Sequence, residues 1–107
     1  MIEIKKYKEN GYDFSVKAED GGNLLNSVSF SSEGEIKKII EDLQKTINAQ
    51  NVFERRTNHE GKFLFNVKGS NGKRIGRSEL YSSEAGMENG IKNLTVRVHV
   101  LIANKHL

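Results

Sequence analysis

Apolar residues recur at every second position in two separate stretches of the chain, and this alternation predicts the strands of a half-buried sheet. The first stretch covers residues 12–18 and the second covers residues 63–67. A period of two places one set of side chains on a buried face and leaves the intervening polar set in water. We therefore expect Phe14 and Phe65, with their alternate neighbours, to face a core.

Turn-forming residues follow each of these stretches and predict two β-hairpins. The run Asp-Gly-Gly-Asn at 20–23 follows the first stretch, and Asn71 with Gly72 follows the second. Glycine accepts the positive φ that tight hairpin turns need. With the shorter alternating and β-prone segments nearby, the strands expected from these patterns cover residues 2–4, 12–18, 24–30, 52–58, 63–67 and 74–81.

A helical period replaces the alternation after the first return strand. Apolar residues at 36, 39, 40, 43 and 47 form one stripe of an amphipathic helix whose opposite face is charged. Ser32, three residues before Glu35, has the spacing of a capping box and marks where this helix begins. We expect the stripe to lie on the sheet.

The second predicted helix follows the second return strand and is a poorer helix former. Its cap lies at 82–84, and its apolar positions reduce to Met87, Ile91 and Leu94. Gly86 and Gly90 each cost about 1 kcal/mol relative to alanine inside a helix. Because Gly90 stands where the first half has Ile39, we expect another group to pack closely against this helix.

Residues 95–103, beyond the second helix, form the most β-prone run in the chain and predict a final strand. Its alternating apolar residues are Val96, Val98, Val100 and Ile102. Valine and isoleucine favour strands, and an unpaired apolar edge strand is an aggregation hazard. We expect this strand to pair, either within the chain or with a second copy of it.

The second half of the chain repeats the first at an offset of 51 residues without a gap. Ser27 coincides with Ser78 at this offset, and the run Ser-Ser-Glu occurs in both halves. Self-similarity of this kind marks supersecondary units that share a core. We predict a single domain made of two copies, residues 1–51 and residues 52–107, with the terminal strand at the end of the second.

The composition excludes several classes of protein. The chain has 107 residues and no cysteine, so it has no disulfide framework, thiolate metal site or cysteine nucleophile. The absence of cysteine suits a reducing cytoplasm, which we take as the expected location. The first residues form no apolar signal segment, and no stretch is long and apolar enough to cross a membrane.

The net charge of +3 conceals a difference between the halves. Residues 1–51 carry seven lysines against nine acidic residues, whereas residues 52–107 carry ten basic residues against five acidic ones, including all five arginines. Arginine binds carboxylate or phosphate through a planar fork, so a basic patch there could meet an anionic partner. Opposite net charges could equally help the two halves, or two chains, to pack.

The segment 71–91 carries a spaced pattern that resembles the YegP-like family (domain of unknown function 1508). The matching elements are Asn71-Gly72, Ile75, Ser78, Tyr81-Ser82-Ser83 and Glu88-Asn89-Gly90-Ile91. The strand at 63–68 fits the family as well. The resemblance implies β-β-β-α-β units, tandem in one chain or paired between chains, joined into one antiparallel sheet with exchanged terminal strands. It implies no reaction and no ligand, because the family has no established activity.

The patterns therefore predict an α+β fold of two layers. Tandem β-β-β-α repeats, plus a C-terminal strand, would form one antiparallel sheet with two helices packed on one face. The polar members of each alternating strand would lie on the opposite face. That face would be open to solvent.

The chain contains no constellation of residues that indicates catalysis. Its histidines are His59, His99 and His106, which are far apart in sequence and lack metal-ligand spacing. Helix capping explains the serines at 82–83. The turn at 71–74 lacks the second glycine and the Lys-Ser/Thr pair of a phosphate loop. We predict that the protein is not an enzyme and holds no cofactor or metal.

The function favoured by these patterns is a small binding or interaction protein that forms a homodimer through sheet or terminal-strand pairing. Leu64 is expected on the open face of the sheet, and the terminal strand is strongly apolar. The candidate self-association residues are Leu64, Val96, Val98, Val100 and Ile102. A chain that stays monomeric at micromolar concentration would contradict this prediction.

Weak binding of nucleic acid or another polyanion is the alternative. The candidate residues are Arg55, Lys68, Lys73, Arg74 and Arg77, which are expected mostly on the open face of the second half. A basic sheet can bind phosphates without sequence preference. Because aromatic residues are scarce on that face, no platform for base stacking is expected, and a solvated basic surface remains the other interpretation.

Overall fold

The computed structural model describes residues 2–6, 11–18, 20–47 and 51–104, and among these it describes the side chains of 11–18, 20–47 and 51–99. The chain forms six strands and two helices. Their bounds in chain order are β1 Ile2–Lys6, β2 Tyr12–Lys17, β3 Asn23–Ser27, α1 Glu33–Thr46, β4 Phe53–Thr57, β5 Phe63–Lys68, β6 Arg74–Arg77 and α2 Glu84–Asn104.

The strands form one antiparallel sheet in the order β1-β2-β3-β6-β5-β4. The order is symmetric, because the strands of the first half and those of the second run inward from opposite edges to the central pair β3–β6. In that pair Asn26 lies opposite Arg77, and these residues are 51 positions apart. A local two-fold axis therefore passes between Asn26 and Arg77.

Both helices pack on one face of the sheet. Buried residues of α1, α2 and the strands share one core cluster, and each helix contacts strands of the sheet. The largest fully buried side chains are Phe14, Val16, Leu25, Ile36, Leu43, Ile47, Phe65, Val67 and Leu94. The predicted α+β fold with one antiparallel sheet and two helices is confirmed.

The predicted hairpin turns are present in both halves with the same hydrogen bonds. Gly21 and Gly72 have φ angles of +88° and +81°, in the left-handed region that favours glycine. The N–H of Gly21 donates to the carbonyl of Ala18, and the N–H of Gly72 donates to that of Gly69, each at 3.0 Å. The turn chemistry of the two hairpins is therefore equivalent.

A serine satisfies the backbone in each half at a point where strand pairing shifts by one residue. The Oγ of Ser78 accepts from the N–H of Phe65 at 3.0 Å and donates to the carbonyl of the following residue at 2.8 Å. The Oγ of Ser27 makes the same two bonds, with the N–H of Phe14 and the following carbonyl, both at 2.8 Å. Each hydroxyl replaces a strand partner, which explains why serine recurs at this position.

Helix α1 begins as the capping spacing predicts. The Oγ of Ser32 accepts from the N–H of Glu35 at 3.1 Å, and the side chain of Glu35 accepts from the hydroxyl of Ser31 at 2.7 Å. The stripe is buried except for the half-buried Ile39. Its buried residues are Ile36, Ile40, Leu43 and Ile47.

The predicted C-terminal strand is wrong, because residues 95–103 belong to α2. Ile91, Leu94 and Val98 stand at i, i+3 and i+7, so they extend one helical stripe, and all three are buried. Residues 91–104 contain no glycine or proline to end the helix. Valine costs only a few tenths of a kcal/mol in a helix, and burial of Leu94 and Val98 outweighs this cost.

The close contact predicted at Gly90 is confirmed. A Cβ added to Gly90 would lie 2.6 Å from Cζ of Tyr81 and nearer still to the hydroxyl oxygen of the same ring. The ring of Tyr81 also stacks on Phe65, with centroids 6.4 Å apart. Tyr81 therefore fills the space that a side chain at Gly90 would need.

Candidate anion-binding face of the sheet

The sheet face opposite the helices is here called the open face. It carries a row of polar residues, one on each of the five strands β2, β3, β6, β5 and β4, which lie opposite one another in the strand register. Ser15 lies opposite Asn26, Asn26 opposite Arg77, Arg77 opposite Asn66, and Asn66 opposite Glu54. Ser15 and Asn66 each stand between two members of the core along their strands, which places their side chains on the opposite face. We call Ser15, Asn26, Arg77, Asn66 and Glu54 the polar row.

Asn66 is the most constrained member of the polar row. It is 9% exposed, and its Nδ2 donates to Oε1 of Glu54 at 3.0 Å. Its Oδ1 is buried and has no hydrogen-bond partner among the described residues. On the other side of the local two-fold axis, Nδ2 of Asn26 donates to Oε1 of Glu79 at 3.3 Å. The row is thus fixed by side-chain hydrogen bonds on both sides of Arg77.

Glu54 forms ion pairs with two neighbouring cations. Its Oε2 lies 3.2 Å from a guanidinium nitrogen of Arg56 and 3.1 Å from Nζ of Lys68. The hydrogen bond from Asn66, followed by those from Arg56 and Lys68, lowers the pKa of Glu54 from its ordinary 4.5 to about 2. Glu54 is therefore ionised at neutral pH and holds both cations.

Arg74 and Arg77 are cations of this face that have no such partner among the described residues. Both are exposed on the central strand β6, and neither makes an ion pair or a side-chain hydrogen bond with another described residue. They line one cavity of about 320 Å³, whose other lining residues are Asn26, Ser27, Val28, Gly76 and Ser78. Lys73, also exposed, precedes Arg74 at the end of the hairpin turn.

Arg55, which we expected with the other cations, lies on the helix side of the sheet. It is opposite Phe65 in the β4–β5 pair, and Phe65 is in the core. Its guanidinium binds both carboxylate oxygens of Glu88 in α2, at 2.5 Å and 3.0 Å. This fork raises the pKa of Arg55 and lowers that of Glu88. Arg55 therefore belongs to a strand–helix contact and not to the open face.

Two of the predicted self-association residues, Leu64 and Val98, are buried. Leu64 is outside the helix-side core cluster, as expected, but it is only 6% exposed because it lies on an inner strand with neighbours on both sides. In α2, Val98 is 3% exposed and Val96 is 54% exposed. The side chains of Val100 and Ile102 lie outside the described residues. Leu64 therefore lies on the open face, as expected, but is buried there, and Val98 packs in the core.

Three ion pairs of the second half join residues within that half. They are Arg55–Glu88, Arg56–Glu54 and Lys68–Glu54. The halves are joined by backbone hydrogen bonds, such as that from the N–H of Val28 to the carbonyl of Ile75 at 2.8 Å, and by the bond from the N–H of Ser70 to Oδ2 of Asp42 at 3.1 Å. Arg74 and Arg77 of the second half make no ion pair with another described residue.

The residues considered for catalysis are dispersed. His59 is exposed in a turn, His99 is exposed on α2 rather than in a strand, and His106 lies outside the described residues. Ser83 caps α2 by accepting from the N–H of Gly86 at 2.9 Å. In the part of the chain that the structure describes, no three His, Cys, Asp or Glu side chains are grouped as metal ligands, and no helix could span a membrane.

Sequence reasoning missed Glu54, Asn26 and Asn66, which organise the open face. Their signal lies in the pairing register, since only the β4–β5 pairing shows that Glu54 stands beside Asn66 and that Arg55 faces the core. Alternation within a single strand cannot supply that information.

The fold and this face define a small two-layer α+β protein with one helix-covered sheet face and one polar face bearing free arginines. A family profile described as "Domain of unknown function (DUF1508)" matches residues 58–98. The chain belongs to the UPF0339 (YegP-like) family, as its similarity to members of that family shows, and the resemblance noted in the sequence is confirmed.

Relatives cover most of the chain. UPF0339 protein YegP from Escherichia coli O6:H1 is 31% identical over 89% of this chain and 86% of its own length. A UPF0339 protein from Pseudomonas aeruginosa is 31% identical over 85% of this chain and 83% of its own. The solution NMR structure of a UPF0339 protein from Shewanella oneidensis superposes with a TM-score of 0.84 at 28% identity, covering 91% of this chain and 82% of that one.

Proposed function

We propose that the protein binds polyanions, with the phosphate backbone of nucleic acid as the occupant, on the open face of its second half. One observation carries the proposal: Arg74 and Arg77 are exposed on the central strand and have no ion-pair partner among the described residues. The neighbouring cations Arg56 and Lys68 share Glu54 instead. A guanidinium fork binds phosphate oxygens through two parallel N–H groups.

The distribution of aromatic residues supports recognition of phosphates rather than of bases. Each phenylalanine and tyrosine that the structure describes either belongs to the helix-side core or packs against it. Among the described residues, the open face therefore has no aromatic ring on which a base could stack. Contacts limited to phosphates bind without sequence preference and weaken steeply as salt rises.

The test is fluorescence anisotropy with a labelled DNA duplex of mixed sequence at low salt. The variant Arg74→Asn plus Arg77→Asn copies the residues that the first half has at these positions. We expect it to weaken binding by about tenfold or more and to make the salt dependence shallower by about two phosphate contacts. Polyphosphate as competitor shows whether phosphates alone suffice.

A matched control removes the same charge elsewhere. Lys37→Asn plus Lys38→Asn lowers the net charge by the same amount on the exposed face of α1. This variant should bind duplex DNA within about twofold of the original protein. If both double variants lost the same affinity for duplex DNA, net charge alone would explain the effect. If the unmodified protein did not bind the duplex at low salt, the proposed function would be contradicted.

A tandem duplication is the organisation we propose for the chain, as one domain of two β-β-β-α copies at 1–51 and 52–107. Three observations support it: the gap-free sequence offset, the equivalent hairpin and serine hydrogen bonds, and the pairing of Asn26 with Arg77 on the local two-fold axis. The functional arginines would then be a specialisation of the second copy, because the first copy has Asn23 and Asn26 there.

The homodimer stays a prediction. Its proposed terminal strand is helical, Leu64 and Val98 are buried, and the edge strand β4 carries Glu54, Arg55 and Arg56. Charges on an edge strand oppose pairing with another edge. Light scattering at micromolar concentration tests the state of the chain. A cytoplasmic location and the absence of catalysis also stay predictions, which the absence of cysteine and the dispersed histidines support.

A further inference from the structure

A groove of about 420 Å³ lies between α2 and the β2–β3 hairpin. Ala18, Leu24 and Val96 supply its apolar surface, and Lys92, Asn93 and Arg97 supply polar groups from α2. Arg74 and Arg77 are not among the residues that line it. The volume falls in the range of about 300–1,000 Å³ that is usual for small-molecule sites.

The apolar part of the groove is accessible. Val96 is 54% exposed and is one of two large hydrophobic residues with that exposure in the described part of the chain. Leu24, which the core buries to 7% exposure, lines the same groove. A ligand with an apolar body would cover Val96 and so remove apolar surface from water.

Two cations in the groove have no partner among the described residues. Lys92 is exposed and Arg97 is half-buried, and neither makes an ion pair or a side-chain hydrogen bond with another described residue. Asp20, the acidic residue of the lining, uses its Oδ1 to accept from the N–H of Gly22 at 2.9 Å within the turn. The groove therefore has a surplus of positive charge next to its apolar surface.

The corresponding surface of the other half shows that the fold does not require these groups. At the offset of 51 residues, α1 has Glu41, Asp42, Lys45 and Thr46 where α2 has Lys92, Asn93, Val96 and Arg97. There the carboxylate of Asp42 accepts from the N–H of Ser70 at 3.1 Å and ties α1 to the second hairpin. The same architecture thus forms with an acidic, hydrogen-bonded helix face. The exposed valine and the two cations of α2 have no matching structural task.

We propose that this groove binds a small amphipathic carboxylate, with its apolar body against Leu24 and Val96 and its carboxylate on Arg97 and Lys92. A guanidinium fork matches the two oxygens of a carboxylate, and the lysine ammonium adds a second charge. The site is independent of the proposed nucleic-acid face, since the two share no residue.

The probes are phenylbutyrate and octanoate, titrated into the full chain while amide NMR spectra are recorded. We expect shifts centred on Ala18, Leu24 and Arg97, with binding in the millimolar range or tighter. Phenylbutyramide, which keeps the apolar body but lacks the charge, should bind at least about tenfold more weakly. Phenyl phosphate reports whether the oxyanion is specifically a carboxylate.

Two variants copy the other half at matched positions. Arg97→Thr should weaken phenylbutyrate about tenfold, and Val96→Lys should weaken it while preserving attraction for inorganic anions. Arg74→Asn plus Arg77→Asn should leave it unchanged, which separates this site from the proposed function. Each variant is compared by circular dichroism to verify that α2 is intact.

The proposal is overturned if neither carboxylate shifts these amides, or if the shifts survive Arg97→Thr. It is also overturned if phenyl phosphate binds about tenfold more tightly than phenylbutyrate, since the site would then be selective for phosphate. Failure here leaves duplex binding by the open face unaffected, because that measurement depends on Arg74 and Arg77.

Discussion

The two halves of the sheet share backbone hydrogen bonds but differ in the side chains that they present on the open face. Around the local two-fold axis, β3 offers Asn23 and Asn26, whereas β6 offers Arg74 and Arg77. The hairpin turns and the serine bonds are equivalent in both halves. The β2–β3 hairpin forms with asparagines where the β5–β6 hairpin has arginines, so this hairpin geometry does not require the arginines.

The two halves also differ in how residues pack against their helices. In the first half Ile39 of α1 is half-buried, whereas in the second half Gly90 of α2 leaves space for the ring of Tyr81. The first prediction concerns a substitution that introduces the residue of the first half at the matched position of α2. Gly90→Ile should lower the free energy of unfolding by about 3 kcal/mol, because the new side chain displaces Tyr81 from its packing. Chemical denaturation measures the change.

Gly86→Ala is the control for that prediction. A Cβ at Gly86 would meet Oγ of Ser83 at 3.1 Å and nothing else nearer than 3.8 Å. It should be neutral or stabilise the protein by up to about 1 kcal/mol through helix propensity. A Gly90→Ile variant as stable as the original protein would contradict the packing of Tyr81 on α2.

The second prediction compares the two serines. Ser78→Ala should cost about 2 kcal/mol, since it leaves the buried N–H of Phe65 without a partner. Ser27→Ala should cost less, because Ser27 is only partly buried whereas Ser78 is 6% exposed. Chemical denaturation of both variants shows which substitution lowers the free energy of unfolding more. Equal and negligible losses would show that water replaces either hydroxyl.

The third prediction transfers the arginines to the first half. Asn23→Arg plus Asn26→Arg places guanidinium groups at the matched positions of β3, beside Arg74 and Arg77. We expect affinity for duplex DNA to rise by about tenfold at low salt, with a steeper salt dependence. Anisotropy measures it, and the same two substitutions as Asn→Gln serve as the control. Unchanged affinity would mean that the position on the open face does not matter.

The fourth prediction concerns Glu54 and has the smallest expected effect. Glu54→Gln frees Arg56 and Lys68, so affinity for duplex DNA should rise by about threefold at neutral pH. In the unmodified protein the folded pKa of Glu54 is lowered to about 2. Its contribution to stability is therefore present above the ordinary value of 4.5 and is lost as the pH falls toward 2.

Acid titration provides the check on Glu54. Between these pH values the unmodified protein should lose stability that Glu54→Gln, which does not titrate there, does not lose. The two denaturation curves should converge as the pH falls. Parallel curves would contradict the ion pairs drawn between Glu54, Arg56 and Lys68.

Much of the fold could be predicted from the sequence because local signals and packing agree. Alternation located β2 and β5, the glycines at 21 and 72 located the hairpins, and Ser32 located the start of α1. The end of α2 could not be predicted this way. Its valines alternate as in a strand, and only the burial of Leu94 and Val98 against the core decides for the helix.

The open face was predicted in part. Arg74 and Arg77 are exposed and without ion pairs to described residues, as a binding role requires, but Arg55 faces α2 and Lys68 is paired with Glu54. Which side of β4 faces the helices depends on its register with β5. A shift of one residue would exchange Glu54 and Arg55 between the faces. The sequence of a single strand does not contain that register.

Amide NMR shifts that map duplex DNA onto the chain would locate its binding surface. We expect salt-sensitive shifts at Lys68, Arg74 and Arg77 and their neighbours in β5 and β6, with none at Lys92 or Arg97 in α2. These shifts should vanish in Arg74→Asn plus Arg77→Asn. Shifts centred on the helices, or an unchanged spectrum at low salt, would contradict the assignment of the open face as the binding surface.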